Sequence, residues 1–237
     1  MNPFSGLSLI LRTNRVQAAA VAVVCTAVVA PAAASAASAA PSKAASSAVA
    51  DGVQGAYCPL DESQSWKAFA AFGDTDDYFL SPSGDFEHGA TDWTLRGAAV
   101  GPSNDDLGVR PGHRSLWLGL GTPGNPVAVS PVFCITNDHP VFRFTFRAVG
   151  AVGPLTTSVR YRGTDGETRE QVISSRSTTA ARPGVWQPSE RLPLADALPA
   201  GRPGDVAAVE LVFRAQTHGI ATGYQVDNVL IDPYRQR

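Results

Sequence analysis

Trp117 alternates with Leu116 and Leu118, and Arg160 and Arg162 flank Tyr161. These are the residue types from which a sugar site is built. The C–H face of a pyranose stacks on an indole or phenol ring, and guanidinium, amide or carboxylate groups bind its hydroxyls. In an extended segment Trp117 faces away from Leu116 and Leu118. It is a platform where that face lies open and ordinary packing where a loop covers it. Tyr161 carries the same two readings. Trp93 and Trp186 follow turns and read as core or edge plugs, and Trp66 as a pin for the N-terminal segment.

Other chemistry is thinner. The acidic runs at Asp74-Thr75-Asp76-Asp77 and Asn104-Asp105-Asp106 lack the ligand spacing and turn glycine of a calcium loop and read as solvated carboxylates. His88, His113, His139 and His218 each lie near Gly or Pro, and no two have metal-ligand spacing. There is no G-x-S-x-G elbow and no H-E-x-x-H helix. Glu167 and Glu170 are close enough in sequence for a glycosidase pair, but they flank a hairpin strand and read as solvent-facing. A sandwich-fold glycoside hydrolase or lyase, whose site would assemble from distant residues, stays open as an alternative; the expectation is a protein that is not an enzyme.

These residues have to be positioned by strands. Gly, Pro, Asn and Asp recur every eight to twelve residues with short apolar runs between them, the punctuation of a sandwich or barrel. Val141–Val149 alternates Phe142, Phe144 and Phe146 with Arg143, Thr145 and Arg147, which predicts one buried and one wet face. Strands are also expected at 115–120, 126–134, 156–162, 168–174, 186–192, 206–214 and 224–231, with an Asp-Gly hairpin at 164–166. Asp61–Phe72 reads as a short helix or irregular segment, with Asp61 as cap. Eight or nine mostly antiparallel strands fit an all-β, two-sheet jelly-roll sandwich.

The N-terminus reads as a targeting segment. Arg12 and Arg15 precede an apolar run at 16–30 that is short for a membrane span, and Ala32, Ala34 and Ala36 offer cleavage sites. The expectation is a signal peptide at 1–36, cleaved within Ala32–Ala40, and a secreted protein with no membrane span after cleavage. The Ala/Ser-rich stretch at 37–56 is expected to be a disordered linker. One domain is expected at 57–237. Export would leave Cys58 and Cys134, whose bridge would close a loop of about 76 residues and stabilise the fold by roughly 4.5 kcal/mol in the chain-entropy model. Two free thiols or a metal pair is the alternative. The net charge of −2 carries no basic block, so nucleic acid is excluded as a partner class.

Two segments resemble a known superfamily. Ser81–Leu95 (SPSGDFEHGATDWTL) is similar to the N-G-x-F-E-x-G opening, followed by Trp, of galactose-binding-like jelly-roll carbohydrate-binding modules. Pro111–Leu116 (PGHRSL) is similar to their Gly- and His-containing turn into a strand, and Tyr224–Val229 (YQVDNV) to their closing W-x-I-D-D-V strand, with Asn228 in place of the second Asp. The chain also resembles uncharacterised secreted actinobacterial-type proteins. The resemblance implies a jelly roll that binds extracellular polysaccharide or cell-wall glycan. It also implies a structural calcium ion at Glu87 and Asp227, with Ser115, Asp85 and Gly89 near enough to help. A metal-free hydrogen-bonded pair at Glu87 and Asp227 is the alternative. For function, the alternative is a structural or protein-interaction domain of the cell surface without small ligand.

Overall fold

The computed structural model describes residues 62–121, 124–136, 139, 141–150, 152–163, 165–176, 182–194 and 207–232. The expected leader, the linker and Cys58 lie outside these residues.

Alternation along the chain becomes strand almost throughout. In chain order the strands are β1 (Phe79–Leu80), β2 (Thr94–Arg96), β3 (Ala98–Pro102), β4 (Arg114–Leu118), β5 (Val127–Val129), β6 (Phe133–Ile135) and β7 (Val141–Val149). They continue with β8 (Val152–Arg162), β9 (Thr168–Arg176), β10 (Gln187–Pro188), β11 (Leu192–Pro193), β12 (Ala207–Thr217) and β13 (Gly223–Ile231). The first sheet runs β10-β7-β13-β4-β3, with β1 also on β13 and β11 also on β7. The second runs β2-β5-β12-β8-β9, with β6 also on β12. The paired strands are antiparallel, so the architecture is a two-sheet β-sandwich of the jelly-roll kind.

The inner faces make one core. Phe142, Phe144 and Phe146 of β7 meet Leu211 and Phe213 of β12 in it. Phe144 stands edge-on to Phe213 at 5.0 Å, and Phe213 also touches Trp93, which packs on Phe86. Such aromatic pairs add about 0.5–1.5 kcal/mol each beyond the area they bury. Trp93 is thus the core plug that its position after a turn predicts.

The outer face of the first sheet departs from the expectation of a wet face. Arg143 and Thr145 are buried. Two pieces of chain lie over them. The segment from Trp66 to Tyr78 brings Phe69 and Tyr78, and the loop between β3 and β4 brings Asp105 and Val109. Together with Leu230 they form a small satellite core. Arg143 is tolerated there because Asp74 and the Ser189 carbonyl take its N–H groups, at 2.7 and 2.5 Å, and its guanidinium lies 4.1 Å from the Phe69 ring centroid. The segment expected at Asp61–Phe72 as a short helix or irregular stretch is irregular over its described residues, with a single 3₁₀ turn at Ala70–Phe72 ended by left-handed Gly73 at φ 80°; Asp61 lies outside the described residues. Trp66 does pin this segment: it bridges to Tyr78 and donates Nε1–H to the Val109 carbonyl at 3.3 Å.

Candidate functional site

One transverse row crosses the outer face of the first sheet. The registers Ala99↔Trp117, Trp117↔Gln225 and Gln225↔Arg147 place these residues side by side on β3, β4, β13 and β7. Gln187 pairs with Phe146, which sets Trp186 beside Arg147 at the end of the row. The two tryptophans are three strand spacings apart, roughly 14 Å.

Each side chain in the row is held. Trp117 is half-buried and donates Nε1–H to Ser115 Oγ at 3.1 Å. Its indole lies over the bare backbone of Gly101, where an added Cβ would stand 2.6–2.9 Å from three indole carbons. Only glycine allows this close approach. Arg147 donates Nε–H to Gln225 Oε1 at 2.5 Å and an Nη2–H to Ser103 Oγ at 3.1 Å. Its guanidinium lies 5.0 Å from the Trp186 ring centroid, which buries that indole beneath a cation. The Gln225 amide orientation follows, since only its oxygen can accept from Arg147.

The other predicted ligand residues do not join this row. Tyr161 packs inward against the core from β8 in the second sheet. Arg160 lies on the outer face of that sheet and pairs with Glu210 and Glu170, while Arg162 bonds the Gly166 carbonyl in the β8–β9 hairpin at 2.9 Å. Glu170 is bound in addition by Arg214. Burial alone would raise its pKa, but Arg214 and Arg160 together hold it below its ordinary value. Alternation along β8 splits Tyr161 from its two arginines, so the triplet cannot act as one surface.

A buried polar row lies next along the first sheet's outer face. Asp227 accepts from Asn228 N–H at 2.8 Å through Oδ1 and from Asp105 N–H at 3.3 Å through Oδ2. Asp105 Oδ2 in turn accepts from Thr145 Oγ1–H at 3.0 Å and Asn228 Nδ2–H at 2.5 Å. Asp105 is therefore a buried partner and not the solvated loop carboxylate that its sequence context suggests; the loop carries it inward over the sheet. Burial pushes the Asp227 carboxyl up to about 8; Asp105 and Glu87 add to the rise, and the Asn228 and Asp105 N–H groups oppose it.

Glu87 Oε1 accepts from the N–H groups of His113 and Arg114, both at 2.8 Å. The Glu87 carboxylate is near enough to Asp227 to add to the rise of the Asp227 pKa. Ser115 is buried at the start of this row, and Asp85 pairs with Arg110 at 3.3 Å. Gly112 has no room for a side chain, because a Cβ there would fall 2.5 Å from both Glu87 Oε1 and Asn104 Oδ1. Two hard oxygens thus converge on bare backbone, a donor chemistry that fits calcium. Among the described residues no three Asp, Glu, His or Cys side chains gather as metal ligands, so such an ion would need amide and backbone oxygens as well.

Elsewhere His139 accepts from Thr136 N–H at 3.0 Å and its Nε2 lies 2.9 Å from Glu62, a local turn anchor. Asp74 binds Arg143, Arg191 and Tyr78, which makes the first acidic run a tie between the N-terminal segment and the sheet. Cys134 is buried in β6.

The class is therefore an antiparallel jelly-roll-type sandwich with an aromatic and polar row on one outer face. No family model and no curated protein matches the sequence. Solved structures resemble it. The enzymatically active domain of bacteriophage CBA120 tailspike protein 4 is 15% identical, with a TM-score of 0.40 over 65% of this chain and 21% of that one. The CBM22-1 xylan-binding domain of Paenibacillus barcinonensis Xyn10C is 16% identical, with a TM-score of 0.43 over 64% of this chain and 93% of that one. TmCBM61, solved in complex with beta-1,4-galactotriose, is 12% identical, with a TM-score of 0.36 over 66% of this chain and 98% of that one. The chain spans about a fifth of the tailspike domain's length. Carbohydrate-binding modules thus stand among the similar structures.

Proposed function

We propose that the chain is a secreted, non-catalytic β-sandwich module that binds extracellular polysaccharide along the row Trp117, Gln225, Arg147 and Trp186. The observation that carries this reading is the Trp117 indole, laid flat over Gly101 and fixed by Ser115, beside two planar polar groups in one register. A ring held in this way meets a sugar with little ordering cost. The non-catalytic reading is supported by the carboxylates: Glu170 is tied to arginines, and Asp105 and Asp227 are buried under a loop.

Calcium belongs to the same proposal as a structural ion. Glu87, Asn104 and Asp227 would hold it, with Ser115 beside them, and it would supply positive charge to the carboxylates gathered there.

Affinity electrophoresis of the full chain through gels containing xylan, galactan and cell-wall polysaccharides tests the reading. Retardation by at least one polymer, abolished in Trp117→Ala with unchanged melting, is expected. Retardation that survives this substitution overturns the platform. Absence of retardation in every gel favours the structural or protein-interaction domain instead.

A further inference from the structure

The row has a charge that no carboxylate among the described residues neutralises. Arg143, four residues earlier on the same face of β7, is paired with Asp74. Arg160, Arg191 and Arg214 likewise have carboxylate partners. Arg147 is held as firmly, but only by the neutral oxygens of Gln225 and Ser103 and the face of Trp186, and among the described residues no carboxylate pairs with it.

The unused hydrogens point to what the row takes. Arg147 spends Nε–H and one Nη2–H on its neighbours, which leaves both Nη1 hydrogens and the second Nη2 hydrogen. These form the end-on fork that matches the two oxygens of a carboxylate. Gln225 spends its oxygen on Arg147, so what its amide has left is Nε2–H₂, again a donor. A site for neutral sugars needs acceptors for hydroxyl hydrogens as well as donors. The carboxylates next along this face, Asp105 and Asp227, are buried and take donors of their own. The row therefore offers one open indole and a set of donors around a fixed cation.

We infer that the polysaccharide bound here is acidic and that Arg147 grips the carboxylate of a uronic acid residue stacked near Trp117; this rests on the reading of the row as a sugar site. The test uses the full chain with polygalacturonate and alginate, each beside its carboxyl-reduced neutral counterpart. At least one acidic polymer should bind about tenfold or more tighter than its reduced form. That preference should shrink as salt is raised. Arg147→Gln should remove the preference, so that the acidic polymer binds no tighter than its reduced form. Equal binding of both forms, still abolished by Trp117→Ala, overturns the acidic ligand and leaves the sugar row standing. Binding that ignores Trp117→Ala, or no binding to these or any neutral polymer, overturns the row and the inference together. Should Arg147→Gln fail to fold, the wild-type comparison and its salt series decide alone.

Discussion

Removing divalent cations and raising the pH should unfold this domain progressively. Asp227 is almost wholly buried, and its carboxyl is pushed up to about 8 from an ordinary 3.8 by burial first, then by Asp105 and Glu87. Folded protein thus holds a proton that unfolded protein has lost between about pH 4 and pH 8. Stability contributed by the protonated group is complete below about pH 4 and is lost as the pH rises through about 8. A shift of about four pH units corresponds to about 5 kcal/mol, comparable with the whole stability of a modest domain. For a domain of this size that is a fall of about 10–20 °C in melting temperature. Asp74 acts in the opposite sense and in another window. Burial would raise its pKa, but hydrogen bonds from Tyr78 and Arg143 outweigh this and lower it, so its contribution is lost only as the pH falls below 3.8. The assay is calorimetry in chelator from about pH 5 to pH 8, repeated with calcium. Calcium should raise the melting temperature at pH 8 and do little at pH 5, where the proton occupies the carboxylate. Asp227→Asn should flatten the profile. It should also lower stability by about 1–3 kcal/mol at pH 5, because one of two backbone N–H groups loses its acceptor. A chelated wild-type profile that is flat or rises between pH 5 and 8 refutes the reasoning.

Gly101→Ala should push the Trp117 indole off its seat, since the new Cβ would stand 2.6 Å from the ring; polysaccharide affinity should fall about tenfold, the loss of roughly one stacking contact, with melting nearly unchanged. Unaltered affinity would show that the seat is irrelevant. The proposed Cys58–Cys134 bridge makes Cys134→Ala costly, by roughly 4.5 kcal/mol in the chain-entropy model, and mass mapping without reductant should find the two cysteines in one linked peptide pair. Free thiols at both positions would remove the prediction.

The strands were legible because β7, β8, β12 and β13 alternate or run apolar over nine or more residues, and period-two patterning is a local property. The second layer over the first sheet was not legible. Arg143, Thr145 and Gln225 are polar and alternate with core residues, which reads as solvent exposure. Arg143 and Thr145 are buried because two distant segments fold across them, and the pattern within a strand cannot register that. Asn228 shows the same gap from the other side. It sits at a bulge with φ 48°, a conformation that Asn tolerates, and its amide donates to Asp105. In the resembling motif an Asp stands there. In this chain that carboxylate would face Asp105 and Asp227 in a buried site, so the change to Asn follows from a loop whose path no local motif reports.

Trp117 was legible as a candidate because its own strand suffices to turn it away from Leu116 and Leu118. Tyr161 failed for a reason of the same kind. Its neighbours Arg160 and Arg162 suggested one cluster, yet a strand sends adjacent residues to opposite faces, and the tyrosine is the one that turns inward. Arg147 and Gln225 were passed over because their meaning lies in the register between strands. Trp117, Gln225, Arg147 and Trp186 are far apart in sequence and become a row only when four antiparallel ladders are aligned. A shift of one residue in any of those ladders would turn its member of the row into the core. The hydrophobic alternation that fixes the sandwich therefore also fixes the row, because keeping Leu116, Phe146 and Val226 in the core requires Trp117, Arg147 and Gln225 to share the opposite face. Fold and candidate site are in this sense specified by the same residues.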